Sequence, residues 1–291
     1  MKIAIHGRSL NPVAAPAVRK LMNDLERMEI PILLSEQWSR FVEEVGWSFG
    51  HTSVFESRED LTGVDYFFSI GGDGTLLDCV ALIGDLEIPI VGINAGRLGF
   101  LATTQEEAIP TALEYLFAKR YTLDDRALIR VNCEQTLFEG INFGLNEVSV
   151  LKADVSAMIT VHTYLNGEYL NSYWADGLII ATPTGSTGYS LSCGGPLVLP
   201  QSANFVITPV SPHNLTVRPM VVSDKSIITL EVECRAQSAL ISVDSRSQVI
   251  PTGKPLTIRR EKFNARLVKF EGYSFFNTLR QKLNWGLDAR N

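Results

Sequence analysis

Asp73 stands among three glycines in Gly71-Gly72-Asp73-Gly74-Thr75, directly after the apolar run Tyr66-Phe67-Phe68-Ser69-Ile70. Such a run reads as a buried strand. The glycines beyond it let the backbone turn sharply and approach a ligand with no Cβ in the way. Thr75 and Asp78 have capping-box spacing ahead of Cys79-Val80-Ala81-Leu82-Ile83, so the spacing predicts a helix starting at Thr75. Asp73 is then expected just outside a helix N-terminus, where free N–H groups favour phosphate. A carboxylate placed there opposes the phosphate charge. It gains a purpose if it takes a proton from a hydroxyl that attacks phosphorus. On this motif alone, a plain turn or cap aspartate is an equally good reading.

Two further constellations accompany it. Leu145-Asn146-Glu147-Val148 sets an amide beside a carboxylate between two β segments. By itself such a pair most often means a turn Asn followed by a solvated Glu. Asp176 precedes the apolar strand Gly177–Ala181, which runs into Thr182-Pro183-Thr184-Gly185-Ser186-Thr187-Gly188-Tyr189-Ser190-Leu191-Ser192 and ends at Cys193-Gly194-Gly195-Pro196. Hydroxyls and glycines crowd one turn, more of them than a turn needs. Tyr189 adds a flat face for stacking and a hydroxyl for hydrogen bonding. This reads as a binding loop. Neither a P-loop nor a G-x-G-x-x-G after the first strand is present, so any phosphates fall to the Gly71–Gly74 turn.

The elements that must position these groups fall into two patterns. Strands and helices alternate up to about Lys119, with strands at Lys2–His6, Ile30–Leu34, Tyr66–Ile70 and Ile88–Ile93. Ala17, Leu21, Leu25 and Met28 give the first helix an apolar face. A second helix carries Trp38, Phe41, Val42 and Val45, and Pro110 fits a later helix only if that helix starts near Glu107. A parallel sheet covered by helices follows. From Tyr121 short strands dominate: Asp125–Cys133, Phe138–Phe143, Val148–Leu151, Ser156–Leu165, Phe205–Thr208, Met220–Val222, Ile227–Cys234, Ala239–Val243, Leu256–Arg260 and Ala265–Phe270. Asn166-Gly167 marks a hairpin. Phe276, Leu279 and Leu283 have helical spacing in Phe275–Leu283. The expected fold is α/β. A Rossmann-like parallel-sheet domain (1–120) precedes an all-β, sandwich-like domain (121–270), and a C-terminal helix (271–291) packs back on the first domain.

Composition narrows the function classes. The chain has 291 residues, 45% apolar and 20% charged, as expected of a globular protein large enough for two cores. A formal net charge of −6 without a long basic run weighs against a nucleic-acid-binding surface. Cys79, Cys133, Cys193 and Cys234 show no C-x-x-C spacing and the 4 histidines are scattered, which argues against zinc and against a disulfide framework. Met1–Gly7 is an opening strand, too short for a signal h-region, and no apolar run approaches membrane-spanning length. A reducing, cytoplasmic setting is expected, with no membrane and no nucleic-acid partner.

Taken together, GGDGT, the Asn146-Glu147 pair and the Asp176–Pro196 stretch resemble the NAD kinase family. Asn94-Ala95-Gly96-Arg97-Leu98-Gly99-Phe100-Leu101, Ser211–Thr216, Arg218-Pro219 and Phe275–Leu279 are similar to further blocks of that family. The match spans nearly the whole chain. GGDG alone is shared with diacylglycerol kinase-like and phosphofructokinase-like enzymes, and the Gly-Ser-Thr-Gly-Tyr-Ser block narrows it. The resemblance implies phosphoryl transfer from ATP to the 2′-hydroxyl of the adenosine ribose of NAD, giving NADP, in a cleft between two domains. It implies a divalent metal, usually Mg²⁺, with metal ligands that the sequence leaves unassigned. It also implies a homo-oligomer, a tetramer or a dimer, in which a neighbouring subunit completes the NAD site.

Carried over by position, Asp73 is the general base, and Gly71, Gly72 and Gly74 let phosphates approach the backbone. Asn146 and Glu147 hold the adenosine end. Asp176, Thr187, Gly188, Tyr189, Ser190, Leu191 and Ser192 complete the dinucleotide site. Trp174 stands where several bacterial members carry a basic residue, which leaves the choice between NAD and NADH open. Asp78 replaces an Arg of some members. Asp244-Ser245-Arg246 replaces an Asp-Gly-Gln-like turn, so no ligand role is read there. Tyr169, Tyr173 and Trp174, close after the Asn166-Gly167 hairpin, form a candidate subunit contact. The competing readings are a lipid or small-metabolite kinase using the same turn, and a non-catalytic NAD(P) sensor.

Overall fold

The computed structural model describes residues 1–96, 99–154 and 158–284. The chain divides into two units, Met1–Asp125 with Ala265–Asn291, and Arg126–Asn264.

In the first unit the order is β1 (Ile3–Gly7), α1 (Ala15–Arg27), β2 (Ile32–Ser35), α2 (Glu36–Glu44), β3 (Thr52–Phe55), β4 (Tyr66–Gly71), α3 (Asp73–Ile83), β5 (Ile90–Asn94) and α4 (Ile109–Phe117). The strands pair in the order β3-β2-β1-β4-β5, all parallel. β1, β2 and β5 are buried along their whole length. That is why they read as continuous apolar runs, as strands covered on both faces do. α1 turns Val18, Leu21, Met22 and Leu25 inward, the i, i+3, i+4, i+7 stripe of a surface helix. Ser35 caps α2 by accepting the Trp38 N–H at 3.2 Å, and Trp38 is fully buried and stacked on Phe41 at 5.0 Å. β1 sits centrally, with β2 and β3 on one side and β4 and β5 on the other. The winding direction therefore reverses between β1 and β4. Ligands of such sheets bind at that reversal, outside the carboxyl ends of the strands. The Gly71–Gly74 turn leaves β4 at this place.

One expectation needs correction here. α3 begins at Asp73, not Thr75, and Gly72 is its N-cap with no side-chain cap bond. Thr75 is buried in the first turn and packs against Gly71, whose φ is +155°. A Cβ on Gly71 would overlap the Thr75 hydroxyl. Asp78 is paired with Arg8 and does not cap the helix.

The second unit is built of β6 (Tyr121–Asn132, entering from the first), β7 (Phe143–Gly144), β8 (Glu147–Lys152), β9 (Ile159–Leu165), β10 (Glu168–Ala175), β11 (Gly177–Ala181), α5 (Tyr189–Ser192), β12 (Asn204–Val210), β13 (Met220–Ser223), β14 (Ile228–Cys234), β15 (Ser238–Val243), β16 (Arg246–Pro251) and the first part of β17 (Leu256–Phe270). β10-β9-β14-β17 run antiparallel, with β6 on β17 and on β7, and β13-β12-β11-β8-β15-β16 form a second antiparallel sheet. Val148, Val150, Leu178, Ile180, Ile207 and Ile241 of the second sheet share one core with Ile129, Val131, Val161, Ile228 and Leu230 of the first. Each buried aliphatic side chain there contributes about 1.5–3 kcal/mol. Asn166 and Gly167, at φ 53° and 85°, make the hairpin turn between β9 and β10.

The expected strand Phe138–Phe143 is instead a tight turn, Phe138–Gly140, followed by the two-residue β7. Phe138, Glu139 and Gly140 all have positive φ, so the backbone coils there while the Phe138 ring still packs on the core. Leu256–Arg260 and Ala265–Phe270 are parts of a single strand, β17, whose last residues pair with β5 in parallel at Leu267 and Ile90. Ser156, the expected start of the strand seen as β9, lies outside the described residues, as do Arg97 and Leu98 of the Asn94–Leu101 block. α6 (Phe275–Leu283) belongs to the first unit, capped by Ser274, with Leu279 buried and the Phe275 ring 6.5 Å from Phe100.

Candidate active site

In the first unit the site is built around Asp73. Its Oδ2 accepts the N–H of Phe100 at 2.8 Å, and its Oδ1 accepts those of Leu101 at 3.0 Å and Ala102 at 3.1 Å. Three of roughly four lone-pair positions of the carboxylate are thereby filled, leaving one on Oδ2. The loop that donates is itself anchored. Asn94 accepts the Gly96 N–H at 2.8 Å and donates to the Ala102 carbonyl at 3.2 Å, while the Ala95 N–H reaches the Gly71 carbonyl at 3.2 Å. A Cβ on Gly99 would run into the Asp73 carboxylate. Gly72 and Gly74 are exposed, and a Cβ on either would meet nothing within 4 Å. The turn therefore presents open backbone at the head of α3, beside a carboxylate whose direction is fixed.

In the second unit Asn146 and Glu147 stand at the start of β8. They are held by a residue that the sequence reading passed over. Asp244, in the turn between β15 and β16, accepts the N–H groups of Leu145 at 2.8 Å, Asn146 at 2.8 Å and Glu147 at 3.2 Å. Arg246 in turn donates to the carbonyls of Ile141 and Phe143. Glu147 Oε2 is buried with no hydrogen-bond partner. Burial, reinforced by the charge of Asp244, pushes the Glu147 carboxyl up to about 8. Burial also raises Asp244, but the three N–H donors and Arg246 pull it back.

The polar loop is fastened to the same place. Thr182 donates its hydroxyl to the Leu145 carbonyl at 2.6 Å and accepts the Gly185 N–H at 3.1 Å, and its own N–H reaches the Asn146 carbonyl at 2.8 Å. A Cβ on Gly185 would overlap that carbonyl. One on Gly188 would lie 3.3 Å from Glu147 Oε2 and 3.9 Å from Asn146 Nδ2. Asn146, Glu147 and Gly188 are thus neighbours. Behind the loop the buried Arg126 donates to the Thr184 hydroxyl at 3.1 Å. Ser190 is buried, its hydroxyl bonded to Thr208 at 2.8 Å. Thr187 and Leu191 are half-buried and Ser192 is exposed. Tyr189 opens α5 with its ring 38% exposed. Burial raises its phenol, as do the nearby charges of Cys193, Asp176 and Glu147.

Asp176 is not brought beside Asn146 and Glu147. Gly177 pairs with Leu151 and Ala181 with Glu147, so Asp176 and Glu147 lie at opposite ends of the β8–β11 pair. That is roughly 17 Å at about 3.4 Å per residue. Lys152 holds Asp176 at 2.7 Å. Of the aromatics expected to cluster, Tyr173 is buried in the core, whereas Tyr169 and Trp174 are exposed. The Trp174 ring lies 4.8 Å from that of His213, and the backbone N–H of His213 donates to the Trp174 carbonyl at 2.9 Å. Among the described residues there is no group of three or more His, Cys, Asp or Glu able to hold a metal ion, and no helix long and apolar enough to cross a membrane.

Sequence reasoning missed Asp244, Arg126, Asn94 and Gly99 as supports. An Asp in a turn between two strands carries no signal of the N–H groups it will accept from a distant loop.

Comparison with known proteins bears on the whole chain. Residues 19–121 match the family described as ATP-NAD kinase N-terminal domain, and residues 145–270 the ATP-NAD kinase C-terminal domain. An NAD kinase from Cytophaga hutchinsonii is 49% identical over 292 residues, 100% of both chains, and one from Flavobacterium psychrophilum 44% over 294 residues, again 100% of both. Among solved structures, an NAD kinase from Archaeoglobus fulgidus in complex with ATP superposes with a TM-score of 0.72 at 27% identity, covering 98% of this chain and 99% of that one. A yeast NADH kinase complexed with NADH reaches 0.89 at 20% identity, over 99% and 88%, and is similar in fold.

Proposed function

The chain belongs to the ATP-NAD kinase family, and from that premise we propose the parts its residues play. The protein is an NAD kinase: it transfers a phosphoryl group from ATP to NAD. In our reading the acceptor is the 2′-hydroxyl of the adenosine ribose, and Asp73 is the group that takes its proton. The observation that carries this is the Asp73 carboxylate itself. It is fixed by three backbone N–H groups, has one lone-pair position left, and lies at the head of a helix whose glycine turn can receive phosphate. Phosphoryl transfer has a loose transition state with charge spread over the phosphoryl oxygens. What the protein supplies is placement of the hydroxyl and of the γ-phosphorus.

Asn146, Glu147, Gly188 and Tyr189 bind the dinucleotide in this proposal, with Gly71, Gly72 and Gly74 leaving room for phosphates. A protonated Glu147 offers a hydroxyl donor to a ribose oxygen or ring nitrogen, a contact that a charged one would not make. Thr187, Leu191 and Ser192 line the same loop. Ser190 acts through Thr208, as a support. A divalent cation, Mg²⁺ in this reading, would be carried by ATP and would supply neutralisation of the phosphoryl charge. Asp176 stands too far from Glu147 along its own strand pair to serve the same end of one dinucleotide, which supports a site shared with a neighbouring subunit of a homo-oligomer. A cytoplasmic setting fits four free cysteines.

Mixing purified protein with ATP, Mg²⁺ and NAD, or with a diacylglycerol or sugar acceptor in place of NAD, tests the reading. NADP formed only with NAD is the expected result. Transfer to the lipid or sugar, or tight NAD binding without product, would replace it with a different kinase or a sensor.

A further inference from the structure

Arg8 follows the last residue of β1, and its position is set by the sheet. β1 and β4 pair in parallel from Ile3 with Tyr66 to Gly7 with Ile70. Arg8 is the first residue beyond β1, and Gly71 is the last residue of β4, so both follow that final pair. These two residues flank the point where the sheet's winding reverses. The guanidinium is not left to wander. Its Nε donates to Asp78 Oδ2 at 2.7 Å and its Nη2 to Oδ1 at 2.9 Å, a two-point fork. Asp78 lies in the second turn of α3, the helix headed by the Gly71–Gly74 turn. It is backed by His6, whose Nε2 is 3.5 Å from Oδ2 and whose Nδ1 bonds the Ser35 hydroxyl at 2.8 Å. Half of the Arg8 side chain, 50%, remains open to solvent.

A half-exposed ion pair adds little to stability, so stability alone does not account for three residues, Asp78, His6 and Ser35, arranged behind one cation. The two bonds to Asp78 use two of the five guanidinium donors. We infer that Arg8 is a binding residue for the polyphosphate chain of the phosphoryl donor, aimed at the glycine turn by Asp78 and His6. The inference rests on the kinase reading of the same turn. The shared chemistry is a polyphosphate, which both ATP and the NAD pyrophosphate carry, and the place of Arg8 at the end of β1, next to the strand that leads into the Gly71–Gly74 turn, favours the donor.

The test uses inorganic tripolyphosphate, whose binding needs no turnover. Calorimetry on the wild-type protein should show binding, weakened about ten- to a hundredfold in Arg8→Gln. In turnover, Arg8→Gln should raise KM for ATP by a similar factor and leave KM for NAD within about twofold. Arg8→Lys should recover part of both, and stands in if Arg8→Gln fails to fold. Asp78→Asn, which keeps the cation and loosens its aim, should have a smaller effect than Arg8→Gln. Unchanged tripolyphosphate binding in a folded Arg8 variant would overturn the inference. So would a rise in KM for NAD without one for ATP, or equal losses from Arg8→Gln and Asp78→Asn with no rescue by Lys. If the protein makes no NADP at all, the binding arm still decides the role of Arg8.

Discussion

Glu147 is the residue whose chemistry departs furthest from expectation. An Asn-Glu pair taken alone most often carries a solvated acid; in the fold Glu147 is half-buried with its Oε2 enclosed, near Asp244, and raised from 4.5 to about 8. The sign of the consequence follows. Between those two values the unfolded chain releases this proton and the folded one keeps it. Folding is therefore penalised progressively as pH rises through that window. Glu147→Gln removes the penalty, so the variant should gain thermal stability over the wild type as pH is raised from 5 to 8. Melting curves at several pH values check this, and parallel curves would show that Glu147 is ionised in the fold. Tyr189→Ala addresses the binding loop. With Tyr189 partly exposed in that loop, its loss should raise KM for NAD more than it lowers kcat. An unchanged KM in a folded variant would make Tyr189 a packing residue.

At the scale of elements, the proposal makes dinucleotide binding depend on the fastening of the Thr182–Ser192 loop to the start of β8. Gly185→Ala places a Cβ into the Asn146 carbonyl. It should displace the loop and lower NAD affinity at least tenfold, as read by calorimetry. Near-native affinity would mean that the contact is not needed.

The sequence made the parallel-sheet unit, the Asn166-Gly167 hairpin and α6 legible, because buried strands, turn dipeptides and amphipathic stripes are local signals. β3 was not legible. It is a sheet-edge strand that buries only Phe55, so it shows no alternation. The start of α3 was misplaced because Thr75 and Asp78 mimic a capping box while serving Gly71 packing and the Arg8 pair. Asp73, Asn146 and Glu147 stood out as candidates by residue type and company, but their supports Asp244 and Gly99 act across long stretches of chain and leave no local trace.

For the whole molecule, the proposal of a shared site ties chemistry to assembly. β13 ends the second sheet with Met220 and Val221 exposed, β10 ends the first with Tyr169 and Trp174 exposed, and Leu215 is almost wholly exposed. Sheet edges of this kind need cover, and aromatic side chains are enriched at interfaces. Sedimentation at micromolar concentration should give a dimer or tetramer mass. Trp174→Glu should lower that mass and raise KM for NAD together, whereas a fully active monomer would remove the shared-site idea. The central claim, that this is a kinase whose proton acceptor is Asp73, rests on one comparison. Asp73→Asn keeps the size of the side chain but turns an amide NH₂ toward an N–H of the Phe100–Ala102 loop, at a cost of about 1–3 kcal/mol. NAD affinity should change little, because the residues proposed to bind most of the dinucleotide, Asn146, Glu147, Gly188 and Tyr189, are untouched. The decisive measurement is the rate of NADP formation from ATP, Mg²⁺ and saturating NAD by wild type and by Asp73→Asn. We predict steady turnover by the first and a loss of about 10²–10⁴-fold in the second. Most of the wild-type rate surviving in Asp73→Asn, or no NADP from a wild-type protein that binds NAD, would contradict the account.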